Sequence, residues 1–215
     1  MALLDPANMA GLAERSRSKG ALEGGEKVYM DKEELARHLF ASREDSILVM
    51  IDMQTKLVPK MCEPERIIEN AKRLLALSRI MGLPVVFTEQ ENLGPTVPEL
   101  TEGTTEPAPI SKMAFNCFSS IPFSVRLRET ERHTLIVAGI EAHICVAQTA
   151  LWAHPRFNVH VVSDAVSSRS PDNYRVAIER MRTGGLTITS TEMVIYELLQ
   201  RAGTDEFRAM LPLIK

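Results

Sequence analysis

Short apolar runs alternate with amphipathic segments along most of this chain, from about residue 46 onwards. Five of these runs are typical of strands buried on both faces of a parallel sheet, at residues 47–51, 83–88, 134–138, 159–163 and 186–189. Four segments carry apolar positions at helical spacing or helix-capping residues, at 65–81, 144–153, 171–182 and from about 190 onwards. Repeated strand–helix units of this kind predict an α/β fold, in which helices cover both faces of a parallel sheet.

Two regions depart from this alternation. Residues 1–43 are interpreted as an N-terminal arm, partly helical or disordered, with one helix predicted at 31–41. Residues 44–215 then form a single domain. Within it, residues 91–110 contain four prolines and two glycines, which predicts a long ordered loop or lid of the kind that often carries function.

Composition narrows the classes of function. The chain has 215 residues, 45% of them hydrophobic and 25% charged, with a formal net charge of -3. This balance argues against a nucleic-acid binder, which usually has a basic face. No apolar stretch approaches the roughly 20 residues of a membrane span, and no secretory signal is recognisable. We therefore expect a cytoplasmic protein that acts on a small molecule, with no nucleic-acid or membrane partner.

The cysteines and histidines give no sign of a metal or a disulfide framework. Three cysteines occur, Cys62, Cys117 and Cys145, and an odd, sparse set suits a reducing compartment. No cysteine pair has metal-ligand spacing, and the five histidines are scattered. We therefore expect neither a metal nor another cofactor.

Reactive side chains follow several of the predicted strands. Ligands of open α/β sheets bind at the carboxyl ends of the strands. Asp52 and Glu89 close the first two strands, Lys112 follows the proline-rich loop, and Cys145 follows the run at 134–138. On pattern alone, Asp52 and Glu89 could equally cap a turn or a loop.

Cys145 is the most informative of these residues. A cysteine in the first turn of a helix lies at the positive end of the helix dipole, which favours the thiolate. Neighbouring backbone N–H groups would serve as an oxyanion hole. Asp52 could take the thiol proton, and Lys112 could hold the carboxylate and the thiolate. The competing interpretation is a small buried hydrophobe, the usual role of cysteine in such domains.

Three segments of the chain resemble the catalytic segments of the isochorismatase-like cysteine hydrolases. They are residues 47–54 (ILVMIDMQ), the lysine in residues 111–118 (SKMAFNCF), and residues 137–148 (VAGIEAHICVAQ). The resemblance covers about residues 46–215. Residues 88–90, 93–100 and 161–170 are similar to the subgroup of isochorismatase domain-containing proteins.

The resemblance implies a fold and a set of roles. It implies a three-layer α/β/α sandwich around a six-stranded, mostly parallel sheet. Asp52 matches the general base, Lys112 the orienting cation and Cys145 the nucleophile. A cis peptide bond is implied between Ile140 and Glu141, with the N–H groups of Glu141 and Cys145 forming the oxyanion hole. Family members also usually associate, so a homo-oligomer is expected.

Two departures restrict the expected reaction. The Asp-x-His metal motif of nicotinamidases is missing, because no histidine occurs between His38 and His133. True isochorismatases lack the nucleophilic cysteine that Cys145 matches. The chemistry expected is therefore hydrolysis of a small amide or related acyl substrate without a metal.

The substrate is not named by the sequence. Gln54, Glu89, Phe115 and Phe118 are expected to line its pocket. Two other classes of function stay open: a binding or scaffolding protein with an idle reactive cysteine, and a thiol redox protein in which Cys117 would be the partner of Cys145.

Overall fold

A computed structural model describes residues 39–102 and 108–214 of the chain. The described part contains one sheet of six strands: β1 (Ser46–Ile51), β2 (Val85–Gln90), β3 (Ile110–Lys112), β4 (Thr134–Ile140), β5 (Asn158–Ser167) and β6 (Thr187–Thr189). Most of the predicted N-terminal arm at 1–43, including most of its helix at 31–41, lies outside the described residues.

The strand order is β3-β2-β1-β4-β5-β6, and every neighbouring pair is parallel. The chain therefore runs outward from the centre through β1, β2 and β3, and then returns to place β4 beside β1. In an open parallel sheet, this reversal leaves a crevice at the carboxyl ends of the two central strands. The topology thus directs attention to the residues that follow β1 and β4.

Seven α-helices are described: α1 (Pro64–Met81), α2 (Pro98–Thr101), α3 (Ile121–Glu129), α4 (Ala147–Ala153), α5 (Pro171–Thr183), α6 (Thr191–Leu199) and α7 (Asp205–Ile214). One hydrophobic core packs α1, α6 and α7 against one face of the sheet, and a second packs α3, α4 and α5 against the other. The three layers agree with the predicted sandwich. Within the described residues, no helix is long and apolar enough to cross a membrane.

The sequence pattern located most of these elements but missed four. The predicted bounds of β1, α1 and α5 differ from the observed bounds by one residue. The short edge strand β3 and the helices α2, α3 and α7 were not predicted. The helix predicted from residue 144 is instead a π-helical turn (Ala142–Val146) that leads into α4.

The central strands approach each other closely just before the crevice. Gly139 has a φ of 121°, and a Cβ built on it would lie 2.1 Å from the carbonyl oxygen of Ile51. Only glycine fits this position without moving the backbone of β1. The contact therefore fixes the end of β4 against the end of β1.

Candidate active site

A buried ion pair joins the ends of β1 and β3. Asp52 follows β1 directly with a φ of 52°, and Lys112 is the last residue of β3. The Lys112 Nζ donates to Asp52 Oδ2 at 2.7 Å, and the two side chains are 1% and 0% exposed. Such a pair is costly to bury and needs further hydrogen bonds to be satisfied.

Strand β2, which lies between β1 and β3, supplies those further hydrogen bonds. The Thr88 hydroxyl donates to Asp52 Oδ1 at 2.8 Å, and the Gln90 Oε1 accepts from Lys112 Nζ at 3.0 Å. Residues two apart on a strand share a face of the sheet, which explains how β2 serves both charges. Sequence reasoning gave Thr88 and Gln90 no role, because a threonine and a glutamine on a strand carry no catalytic signature alone.

Cys145 lies in the π-helical turn that follows β4, and it is 7% exposed. The charges of Asp52 and Lys112 both act on its thiol. Burial raises the pKa of Cys145, and the Asp52 carboxylate raises it further, against an opposing effect of Lys112. The structure thus brings Asp52, Lys112 and Cys145 together, although 33 residues separate the last two in the sequence.

The raised pKa corrects one expectation. The position of Cys145 near the start of a helix predicts a thiolate, but burial and the adjacent carboxylate favour the neutral thiol in the resting protein. Burial is the largest effect on the pKa of Lys112 and alone would lower it, but Asp52, Cys117 and Cys145 together outweigh burial and that pKa is raised. The resting site therefore contains an ammonium and a protonated thiol beside Asp52.

A second thiol lies beside this group. Cys117 is fully buried, and its Sγ is 3.9 Å from the Thr88 hydroxyl that bonds Asp52. Burial raises the pKa of Cys117, which keeps this thiol protonated. All three cysteines are free.

The turn before Cys145 has the backbone geometry that the resemblance implies. The peptide bond between Ile140 and Glu141 is cis. Within the turn, the carbonyl of Glu141 accepts from the N–H groups of Ile144 and Val146, at 3.0 and 3.2 Å. The turn is therefore closed by its own backbone.

Gln54 and Glu89, the two polar residues expected to contact substrate, instead form hydrogen bonds with the segment at residues 90–96. The Gln54 Nε2 donates to the carbonyls of Gln90 and Gly94, at 2.9 and 2.5 Å. One carboxylate oxygen of Glu89 accepts from both the N–H and the hydroxyl of Thr96, at 2.6 and 2.8 Å. These contacts fit the capping role that the pattern left open for Glu89.

The two expected aromatic residues differ in environment. Phe118 belongs to an aromatic cluster, stacked on Trp152 at 4.4 Å and edge-on to Phe123 at 5.1 Å between ring centroids. Phe115 is 52% exposed. Of the two, Phe115 is therefore the side chain that is free to meet a ligand.

The contacts of His143 and the arrangement of possible metal ligands also bear on the reaction that the site could support. The Nδ1 of His143 is 2.9 Å from the hydroxyl of Ser168, and its Nε2 is 3.4 Å from the Asn173 amide. The ring of His143 therefore contacts the loop after β5 and helix α5. Within the described ranges, no group of three or more His, Cys, Asp or Glu side chains is arranged to hold a metal ion.

Fold and site together define a three-layer α/β sandwich that places a carboxylate, an ammonium and a thiol near the carboxyl ends of its strands. The isochorismatase domain model matches residues 46–193. Isochorismatase domain-containing protein 2A of Mus musculus is 37% identical over 177 residues, covering 80% of this chain and 84% of the relative. The chain belongs to the isochorismatase family, and this membership implies a hydrolase.

Two solved structures illustrate the range of proteins with this fold. A structure described as the MAR1 ribonuclease of Caenorhabditis elegans has a TM-score of 0.76 and 35% identity, covering 81% of this chain and 92% of that one. The YcaC gene product of Escherichia coli, described as an octameric hydrolase of unknown specificity, has a TM-score of 0.77 and 26% identity, covering 82% and 89%.

Proposed function

We propose that this protein is a cysteine-dependent hydrolase of a small amide or a related acyl compound, which acts through a thioester intermediate. The observation that carries the proposal is the buried ion pair of Asp52 and Lys112, with the Cys145 thiol near enough for both charges to act on its pKa. A base close to a protonated nucleophile is the arrangement that nucleophilic catalysis requires.

The steps follow from the protonation states. Asp52 takes the proton of Cys145 as the sulfur attacks the substrate carbonyl, so charge develops on the sulfur only during the reaction. Lys112 stays protonated and offsets the single negative charge as it moves from Asp52 to the sulfur. Asp52 then gives the proton to the leaving amine, the C–N bond breaks, and an acyl thioester remains on Cys145. Water, deprotonated by Asp52, hydrolyses the thioester and restores the thiol.

The tetrahedral intermediates need donors for their oxyanion. We assign this role to the backbone N–H groups of Glu141 and Cys145. One such donor typically contributes about 3–4 kcal/mol to lowering the barrier. The ring of Phe115, three residues after Lys112 in the sequence, is 52% exposed, whereas Asp52, Lys112 and Cys145 are buried, and this combination favours a small and partly apolar substrate.

The proposed assembly follows a structural relative, whereas the proposed location does not. The octameric state of the E. coli protein with this fold supports a homo-oligomer here. A cytoplasmic location stays a prediction from the cysteine content.

Cleavage of RNA is a second candidate, because a protein that is 35% identical is described as a ribonuclease. Two features of this chain favour the amide reaction. Its net charge is -3, whereas RNA binding depends mainly on basic groups that contact phosphates. Its candidate base lies fully buried against a thiol, where a ribose hydroxyl has little room.

The test is a screen of the full chain against small primary and N-substituted amides, with an RNA oligonucleotide as a parallel substrate. Acyl-enzyme is trapped by acid quench and identified by mass spectrometry. We expect amide turnover and an acyl adduct on Cys145, both lost in Cys145→Ala and Asp52→Asn. Cys62→Ser is the matched control, because it removes a thiol outside the buried group, keeps a hydroxyl that can donate to the Arg169 carbonyl as the thiol does, and should leave turnover unchanged.

Three results would overturn the proposal. Undiminished amide turnover in Cys145→Ala would remove the nucleophile. Cleavage of RNA without cleavage of any amide would favour the ribonuclease. Tight binding of a small molecule with no turnover of either substrate would favour the binding or scaffolding protein.

A further inference from the structure

The turn that carries Cys145 is tied to a loop that the mechanism above does not use. Strand β5 ends at Ser167, which is paired with Ile140 at the end of β4. The loop that follows β5 therefore starts directly beside the turn. Two side chains of the turn, those of Glu141 and His143, bond the next two residues of this loop, Arg169 and Ser168.

The stronger of the two ties holds a buried carboxylate. The Glu141 side chain is only 7% exposed. Its Oε2 accepts from the Arg169 backbone N–H at 3.0 Å, and the Arg169 Nε lies 3.1 Å from both carboxylate oxygens. A buried carboxylate that loses its cation keeps the full penalty of desolvation. The contact therefore strongly favours one orientation of the Glu141 side chain.

The position of Arg169 is unusual for a partner of a buried charge. Its own side chain is 61% exposed, so water solvates most of the guanidinium while the Nε reaches inward. Exposed arginines in ordinary surface pairs contribute little to stability. This one differs because its partner is buried and belongs to the turn that carries the nucleophile.

We propose that Arg169 is a positioning residue for the oxyanion hole. By holding the Glu141 carboxylate from the neighbouring loop, it fixes the backbone on which the Glu141 N–H and the Cys145 N–H converge. This inference rests on the proposed amide hydrolysis for its catalytic readout. Displacement of a catalytic group by about 1 Å can lower a rate by about 100-fold.

The test compares Arg169→Met with Arg175→Met in the full chain. The methionine at 169 keeps the backbone N–H bond and removes the guanidinium. Arg175 is the matched control, because it is also an exposed arginine, paired with Asp172 on α5 at 3.5 Å. We expect Arg169→Met to lower kcat by about 10- to 100-fold with little change in KM, and Arg175→Met to change neither.

Two further readouts separate positioning from a general loss of structure. Added methylguanidinium should restore part of the lost kcat in Arg169→Met, because the exposed site is open to a small cation. Hydrogen–deuterium exchange should quicken in a peptide spanning residues 141–146 and stay unchanged in peptides from β1 and β2. The exchange measurement needs no substrate, so it tests the tie between loop and turn even if no amide is hydrolysed.

The results of these experiments test the positioning role of Arg169 separately from the proposed amide hydrolysis. A wild-type level of kcat in Arg169→Met, or an unchanged exchange rate at 141–146, would overturn the positioning role. A loss of kcat that parallels a loss of thermal stability, and that methylguanidinium does not rescue, would also overturn the positioning role. Faster exchange in a protein that hydrolyses no amide would keep the structural tie and reject the proposed function instead.

Discussion

A buried histidine far from the candidate site should make the protein sensitive to mild acid. His160 lies in the middle of β5 and is 0% exposed. Among the described residues, neither of its ring nitrogens has a hydrogen-bond partner. Burial lowers the pKa of His160 from 6.5 to about 4, so the folded protein keeps this ring neutral well below the pH at which an unfolded chain would protonate it.

The difference between the pKa of His160 in the folded and in the unfolded protein sets how the free energy of unfolding changes with pH. Between pH 6.5 and 4 the unfolded state binds a proton that the folded state does not, so the free energy of unfolding falls as the pH falls through that window. Each pKa unit corresponds to about 1.4 kcal/mol. The full loss by pH 4 is therefore about 3 kcal/mol, and about 2 kcal/mol is lost by pH 5.

The perturbation is His160→Leu, which keeps a similar volume and removes the titrating ring. Urea unfolding at fixed protein concentration, at pH 7.5 and at pH 5, gives the free energy of unfolding at each pH. We expect the variant to be at least as stable as wild type at pH 7.5, because the unpartnered nitrogens are gone. At pH 5 it should exceed wild type by about 2 kcal/mol more than at pH 7.5.

A control on the same strand shows whether the effect belongs to titration. Val162 is also 0% exposed, and Val162→Ala should lower stability by about 2 kcal/mol at both pH values, since it removes packing and no titratable group. Equal pH dependence in wild type and His160→Leu between pH 4 and 6.5 would refute the reasoning.

Three further predictions concern the site and its frame. Lys112→Met should lower the free energy of unfolding by about 3–5 kcal/mol, because the Asp52 carboxylate stays buried without its cation; adding Asp52→Asn should recover most of that loss in urea unfolding. Thr88→Val should lower kcat by about 10- to 100-fold at unchanged KM, measured on the amide found in the screen, because Asp52 loses a hydrogen bond of 2.8 Å. Gly139→Ala should yield little folded protein on expression, because its Cβ would lie 2.1 Å from the backbone of the neighbouring strand. Gly82→Ala is the control: Gly82 has a φ of 68° with open space around the added Cβ, so this variant should lower the free energy of unfolding by only about 1 kcal/mol.

The sequence predicted what depends on local pattern. Strand β1 is a continuous apolar run buried at every position, and α1 begins and ends at recognisable signals, with a proline in its first turn and Gly82 after its last residue. The missed elements carry weaker patterns. Strand β3 has three residues and lies at the sheet edge, and α7 contains Pro212 within the helix, which sequence rules read as a helix end.

The candidate site was also predicted only in part from the sequence. The resemblance and the topology both direct attention to Asp52, Lys112 and Cys145, because they stand next to strand ends. The protonation state of Cys145 could not be read from the sequence, since burial and a carboxylate from another strand set its pKa. The partners Thr88, Gln90 and Arg169 were missed for a related reason, because their contacts arise from strand pairing and a loop crossing rather than from any motif.

The composition of the buried site also bears on the choice between an enzyme and a scaffold. A buried ion pair contributes little to stability, and apolar residues of similar volume usually serve a core as well or better. The strands around Asp52 and Lys112 are otherwise packed with aliphatic side chains. A binding or scaffolding protein would gain nothing in stability from placing a carboxylate, an ammonium and a thiol in that setting. The nucleophilic mechanism proposed above gives each of the three groups a role, which is an argument for the proposed enzyme over the scaffold.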